Sequence, residues 1–169
     1  DWTVMWQVDR ETEVERAKAI YDAQLIRRFK PHHPYADKVL RDLANKYELV
    51  IVTSRASALR DGTEEWLQKH HPGVFKKVHM TGFYDTFLHK PFKDDSMHKR
   101  TKGAMLSEIG ADYLIDDQPK HCFSAADIGI KAVLFGNYKW SRDLSELPNG
   151  VTRCLDWHEV EQYFDLQKN

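Results

Sequence analysis

Little in this sequence is extreme, and its scarcities narrow the field first. Two cysteines, Cys122 and Cys154, in 169 residues make no disulfide framework, so a reducing, cytoplasmic compartment is the expectation. No apolar run approaches the ~18 residues of a membrane span, and no membrane partner is expected. A formal net charge of −1 gives no electrostatic ground for binding a nucleic-acid polymer. The nine histidines are scattered. No basic-then-apolar leader is legible around Trp2 and Trp6, and the chain opens on Asp1 without a methionine, as a processed or excised piece does. Internal repeats, low-complexity tracts and linkers are also missing. What remains is ordinary for a globular chain, 41% apolar and 30% charged, and long enough for one domain, residues 1–169, with a real core.

Strand-like and helix-like segments alternate. Residues 9–29 carry Val14, Ala17, Ile20, Tyr21 and Leu25 at roughly helical spacing, and Pro31 and Pro34 punctuate them. Residues 35–46 form a second helical pattern, with Val39, Leu40 and Leu43 on one face. Leu49-Val50-Ile51-Val52 is a continuous apolar run, the pattern of a parallel strand covered on both faces. Residues 63–69 are expected as helix, stopped by His70-His71-Pro72-Gly73; residues 78–81 as a short strand; 84–100 as a long polar loop. Helix is expected again over 101–109, with Gly110 just past its end, then strand at 113–115, helix at 121–126, strand at 132–135 and helix at 157–164. Repeated βαβα argues a parallel sheet with helices on both faces and right-handed crossovers.

In such a sheet the ligand lies outside the carboxyl ends of the strands, and three chemically useful groups fall there. Thr53-Ser54-Arg55 ends the first strong strand. Leu114-Ile115-Asp116-Asp117 ends a later one, followed by the turn Gln118-Pro119. Side chains alternate along a strand, so adjacent carboxylates converge only where the strand ends and the backbone turns. Paired carboxylates suit a hard cation such as Mg²⁺, which binds one or two of them plus substrate phosphate; a solvated turn is the plainer use of such a dipeptide. Lys102, preceded by Lys99 and Arg100, starts the helix leading into that strand. Hydroxyl, ammonium and carboxylates at one sheet edge make a phosphate-plus-Mg²⁺ site, with lysine offsetting phosphate charge. Arg55 adds a fork that matches phosphate geometry. Singly, Thr53 is a turn cap and Lys102 a solvated helix residue; their order and placement give the combination its specificity.

The order Leu49–Arg55, Lys102, Leu114–Asp117 resembles motifs two, three and four of the haloacid dehalogenase (HAD) superfamily of phosphotransferases. Longer stretches are similar to its 5'(3')-deoxyribonucleotidase-like branch: Val52-Thr53-Ser54-Arg55, Thr63-Glu64-Glu65-Trp66-Leu67, Leu134-Phe135-Gly136-Asn137-Tyr138-Lys139-Trp140 and Asp156-Trp157-His158-Glu159-Val160. The resemblance runs from about Ala36 to the end. It implies a three-layer α/β/α Rossmann-like fold, with residues 35–169 as core and 1–34 as a cap-side helical segment. It implies Mg²⁺-dependent hydrolysis of a small phosphorylated molecule, a phosphomonoester such as a nucleotide. Asp116, assisted by Asp117, would hold the metal; Thr53 would be catalytic in binding phosphoryl oxygens, with Ser54 and Arg55 binding substrate; Lys102 would steady the charge between nucleophile and phosphate.

One departure outweighs the matches. The family's nucleophile is the first aspartate of an Asp-x-Asp motif that ends the central strand, the second acting as acid and base, and this sequence contains no Asp-x-Asp. In one reading the chain begins after that motif and is catalytically inactive alone. The objection is that the missing strand is the centre of the sheet, and its loss leaves two rows of backbone groups unpaired. In the other, residues 3–8 supply the strand and Asp9 stands at the nucleophile's place, with Glu11 as acid and base. Two tryptophans and Gln7 are awkward in a central strand, and Asp9 reads equally as a helix N-cap. A second copy of the chain completing the sheet would make a homodimer. The competing functional class is a catalytically inactive HAD-like module used for binding or assembly.

Other features carry less. His32-His33 and His70-His71 are not spaced as a zinc site and read as loop histidines. Neither cysteine has a neighbouring base to activate it. Lys90, Lys93, Lys99 and Arg100 read as a solvated basic stretch or as a greeting for an anionic substrate. Tyr138 and Trp140 follow a strand end near the candidate edge; packing at the rim is preferred to stacking on a base.

Overall fold

The computed structural model describes residues 7–9, 11–12, 15–16, 18–19, 25–31, 33, 35–82, 85 and 101–166. It divides into two compact units, one of Asp1–Pro31 with Val50–Arg100, the other of His32–Leu49 with Thr101–Asn169.

The second unit is built on three parallel strands, β3 (Tyr113–Asp116), β4 (Lys131–Phe135) and β5 (Val151–Cys154), in that order. Leu114 pairs with Ala132 and Leu134 with Arg153, which fixes the register. Four successive residues of β4, Ala132–Phe135, are buried, the mark of a central parallel strand. Helix α1 (Ala36–Ala44) buries Ala36, Val39 and Leu43, spaced three and four apart so that they share one face. That face joins Val133, Phe135 and Cys154 and, from helix α5 (Trp157–Leu166), Val160 and Phe164 in one apolar cluster. Helix α4 (Pro119–Asp127) packs on β3 and β4 through Cys122 and Ala125, both fully buried. Pro119 begins it, a position where its missing N–H is no loss. Helix α3 (Lys102–Glu108) is capped by Thr101, whose hydroxyl accepts the Ala104 N–H at 3.1 Å. Thr101→Ala is expected to lower stability by about 1 kcal/mol, measured by urea unfolding; a change within 0.3 kcal/mol, on the order of experimental scatter, would show the cap to be idle.

The first unit holds β1 (Leu49–Thr53) laddered to β2 (Phe75–Met80), with helix α2 (Arg60–His70) between them in sequence. A 3₁₀ turn, Leu25–Arg28, lies along α2: Arg27 pairs with Glu65 at 2.8 Å and Trp66 Nε1 donates to the Phe29 carbonyl at 2.7 Å.

The alternation of elements matches the sequence pattern, with four corrections. Among the described residues the strands form two ladders, β1–β2 and β3–β4–β5, where the sequence pattern predicts one sheet. The stretch 3–8 does not supply a strand where it is described: Gln7 stands in a turn at φ +51, a left-handed conformation closed to strands, and residues 3–6 lie outside the described residues. Strand β5 lies where the apolar pattern of the sequence predicts no strand. His70 belongs to helix α2 and packs against Trp66 at 4.8 Å, so it is no loop residue. Of the expected loop 84–100 only Asp85 is described; its carboxylate accepts the Ser57 N–H and hydroxyl, both at 2.6 Å. The basic residues at 90, 93, 99 and 100 lie outside the described residues. No helix among the described residues is long and apolar enough to cross a membrane.

Candidate functional site

The site in the second unit is organised by Asp116, the last residue of β3. Its side chain is 5% exposed, a burial that an ionised carboxylate tolerates only with partners on both oxygens. Lys102 Nζ lies 2.6 Å from Oδ2. The Gln118 N–H donates to Oδ1 at 2.9 Å, and His121 Nδ1 lies 3.2 Å from the same oxygen. With Asp116 ionised and accepting, the imidazole proton on that bond belongs to Nδ1. Burial works to raise the Asp116 pKa; the His121 bond and the Lys102 charge outweigh it, so the carboxyl lies below its ordinary value.

Local structure explains why these groups meet. Thr101 caps α3 and places Lys102 in its first turn. Gly103 then lets α3 approach α4: a Cβ there would stand 2.8 Å from Ser124 Oγ. Pro119 starts α4 immediately after the strand-end turn, which swings His121 back over Asp116. Behind the carboxylate, Cys122 Sγ donates toward the Asp116 and Val133 carbonyls at 3.5 and 3.6 Å. Burial, with the charges of Asp116 and Asp117, pushes its thiol pKa up to about 12, and burial holds Cys154 near 11. Both stay protonated and unreactive near neutrality.

Asp117 is partly buried. Its Oδ2 accepts the Gln118 amide at 3.0 Å, and its carbonyl accepts Trp140 Nε1 at 3.0 Å. Trp140 stacks on Tyr138 with ring centroids 4.8 Å apart and planes 3° from parallel. The Tyr138 ring lies over Gly136, at the end of β4, where a Cβ would stand 2.3 Å from Cε2.

The structure therefore brings together Lys102, Asp116 and Asp117 from the sequence reading and adds His121, Gln118 and Trp140. The remaining candidates belong to the first unit. Thr53 ends β1; its Oγ1 accepts the Arg55 N–H at 3.3 Å, and its carbonyl accepts the Thr81 N–H. Ser54 is partly buried, and Arg55 Nη1 reaches the buried Thr63 hydroxyl at 3.4 Å. Asp9 is exposed, and its Oδ1 accepts the Thr12 N–H at 2.8 Å, the geometry of a helix cap. That bond holds its carboxyl below the usual range.

The donor chemistry at Asp116 and Asp117 fits Mg²⁺, a hard cation that takes one or two carboxylates and completes its shell with water and phosphate oxygens. It does not make a closed protein cage: among the described residues no three His, Cys, Asp or Glu side chains are grouped to hold a metal. Neither a protein-family model nor a curated protein matches this chain.

Proposed function

We propose that the chain is a HAD-like, Mg²⁺-dependent phosphomonoester hydrolase domain of the nucleotidase-like kind, with a three-layer α/β/α core, that lacks its own nucleophile motif. The observation that carries this reading is the buried Lys102–Asp116 pair at the carboxyl end of a parallel strand, where α/β proteins bind ligands. Parallel strands flanked by helices α1, α4 and α5 support the fold.

Asp116 and Asp117 would hold Mg²⁺, which when bound neutralises charge on the phosphoryl group. Lys102 sets an ammonium at the same edge and steadies the phosphate, while His121 and the Gln118 N–H keep Asp116 ionised and oriented. In the first unit, Thr53, Ser54 and Arg55 offer hydroxyl and guanidinium donors of the kind that bind phosphoryl oxygens. The chain offers no Asp-x-Asp to accept the phosphoryl group, so the activity proposed for this chain alone is binding without efficient turnover.

Thermal unfolding with Mg²⁺, with inorganic phosphate and with both tests this reading, alongside phosphate release from p-nitrophenyl phosphate. Mg²⁺ alone should shift the melting point little, since one carboxylate of the site is absent. The two ligands together at 100 times Kd should add about 2.7 kcal/mol, and Asp116→Asn should remove that response. Turnover lost in Asp9→Asn would instead make Asp9 the nucleophile. A chain indifferent to both ligands would be a binding or assembly module.

A further inference from the structure

The first unit has a cavity of its own, about 370 Å³, between helix α2 and strand β2, within the size range of ligand sites. On the helix side it is lined by Arg60, Glu64, Leu67, Gln68 and His71, spaced so that they share one helix face. On the strand side it is lined by every one of residues 75–79. Side chains alternate between the two faces of a strand, so a cavity that touches each successive residue runs along the strand's edge and not across one face.

Arg60 marks which backbone groups turn to that edge. Its Nη1 donates to the Val78 carbonyl and to Glu64 Oε1, both at 3.0 Å. Along a strand the N–H and C=O of one residue share an edge, and those of its neighbours take the opposite one. Val78 and Lys76 therefore turn their backbone groups to the cavity, and Lys77 turns its own to β1, with which β2 ladders among the described residues.

The lining is cationic: Arg60, Lys76 and Lys77 stand against Glu64 alone among the carboxylates. Both lysines are exposed, and neither is ion-paired among the described residues. Lysine on an edge strand ordinarily keeps other edges away. Here it excludes a second copy of the chain, since self-pairing would set lysine against lysine. A strand of opposite charge meets no such obstacle. Lys76 and Lys77 project to opposite faces, so acidic residues at successive positions of that strand each find a cation.

We propose that the edge of β2 beside α2 is a docking groove for an extended acidic peptide of a partner protein, which adds to β1–β2 as a further strand. Backbone hydrogen bonds would give the affinity and the lysines the selectivity. Every residue of the groove lies in the first unit, so the proposal does not rest on the phosphomonoester reading of the Asp116–Lys102 site.

Fluorescence anisotropy tests it on the full chain, with a labelled peptide rich in glutamate and valine and about six residues long, the span of a typical strand. Binding should weaken about tenfold or more in Lys76→Glu/Lys77→Glu, where like charges meet, and equally when glutamine replaces glutamate in the peptide. An N-methylated peptide of the same charge, without the N–H donors of a ladder, should not bind. Hydrogen exchange adds a readout that charge alone would not move: the Lys76 and Val78 amides should gain protection on binding, while the Lys77 amide should not change. Equal binding of the N-methylated peptide, or of tripolyphosphate, overturns the proposal and leaves only a charged patch. Tighter binding of a single-stranded oligonucleotide overturns it in favour of a nucleic-acid surface, and no binding of the acidic peptide overturns it outright. If the double variant does not fold, the peptide series and the exchange pattern of the natural chain decide.

Discussion

Lys102→Met should destabilise the protein by about 3 kcal/mol at pH 7, the low end of the range for removing one partner of a buried ion pair. The pair is 2.6 Å apart, with side chains 15% and 5% exposed, so solvent does little to replace the lost ammonium. His121 and the Gln118 N–H remain on Oδ1, but Oδ2 loses the cation that faces it. The pH dependence has a definite sign. Asp116 titrates below its unfolded value of 3.8, so the stability it contributes is present above that pH and is lost as pH falls through the lower, folded value. The gap between wild type and variant should therefore narrow in acid, as the stranded carboxyl protonates. Urea unfolding at pH 7 and pH 3 measures both quantities. The double variant Lys102→Met/Asp116→Asn should recover most of the loss, because removing both charges avoids a stranded one. A gap that is the same at both pH values would mean that the pair is not responsible.

Gly136→Ala should cost about 3 kcal/mol, from two effects. The residue sits at φ +87, where a Cβ meets the neighbouring carbonyl at a cost of roughly 1–2 kcal/mol. The new methyl would also stand 2.3 Å from Tyr138 Cε2 and 2.8 Å from Cδ2, so the ring must move, an overpacking cost of roughly 1–3 kcal/mol. Tyr138 has little freedom to yield, since its ring is stacked on Trp140. Unfolding experiments measure the stability loss, and near-ultraviolet circular dichroism should show the aromatic pair disturbed. A loss under about 1 kcal/mol with an unchanged aromatic spectrum would mean that the ring relaxes freely.

Much of this site was legible in the sequence because its members follow local rules. Asp116-Asp117 closes an apolar run, and Lys102 opens a capped helix; both signals are contiguous in the chain. His121 was not legible as a partner of Asp116, because a spacing of five residues across a turn belongs to neither helical nor strand periodicity. The usable signal was Pro119: reading it as the first helical residue puts His121 in the first turn, facing back toward the strand. Strand β5 escaped because Val151-Thr152-Arg153-Cys154 is short and polar at its centre, its buried ends Val151 and Cys154 separated by the exposed Thr152 and half-exposed Arg153. The first half of β2 was hidden in the same way by the exposed Lys76 and Lys77. The division of the strands into two ladders depends on which backbone edges meet, and apolar runs are silent on that.

The discontinuity of the second unit has a consequence for how it comes apart. Tyr35 on the approach to α1 bonds Glu161 on α5 across 126 positions of sequence. Closing a loop of that length in an unfolded chain costs on the order of 4 kcal/mol in its length-dependent part. Burying Val39 and Leu43 returns about 1.5–3 kcal/mol for each side chain. These opposing quantities nearly cancel, so attachment of α1 carries only a thin surplus. The strands of β3–β4–β5, by contrast, lie close together in sequence. Helix α1 is thus expected to act as the latch of this unit, docking late in folding and lifting early in a partial opening that uncovers Val133 and Phe135; native-state hydrogen exchange should then show the α1 amides less protected than those of β4.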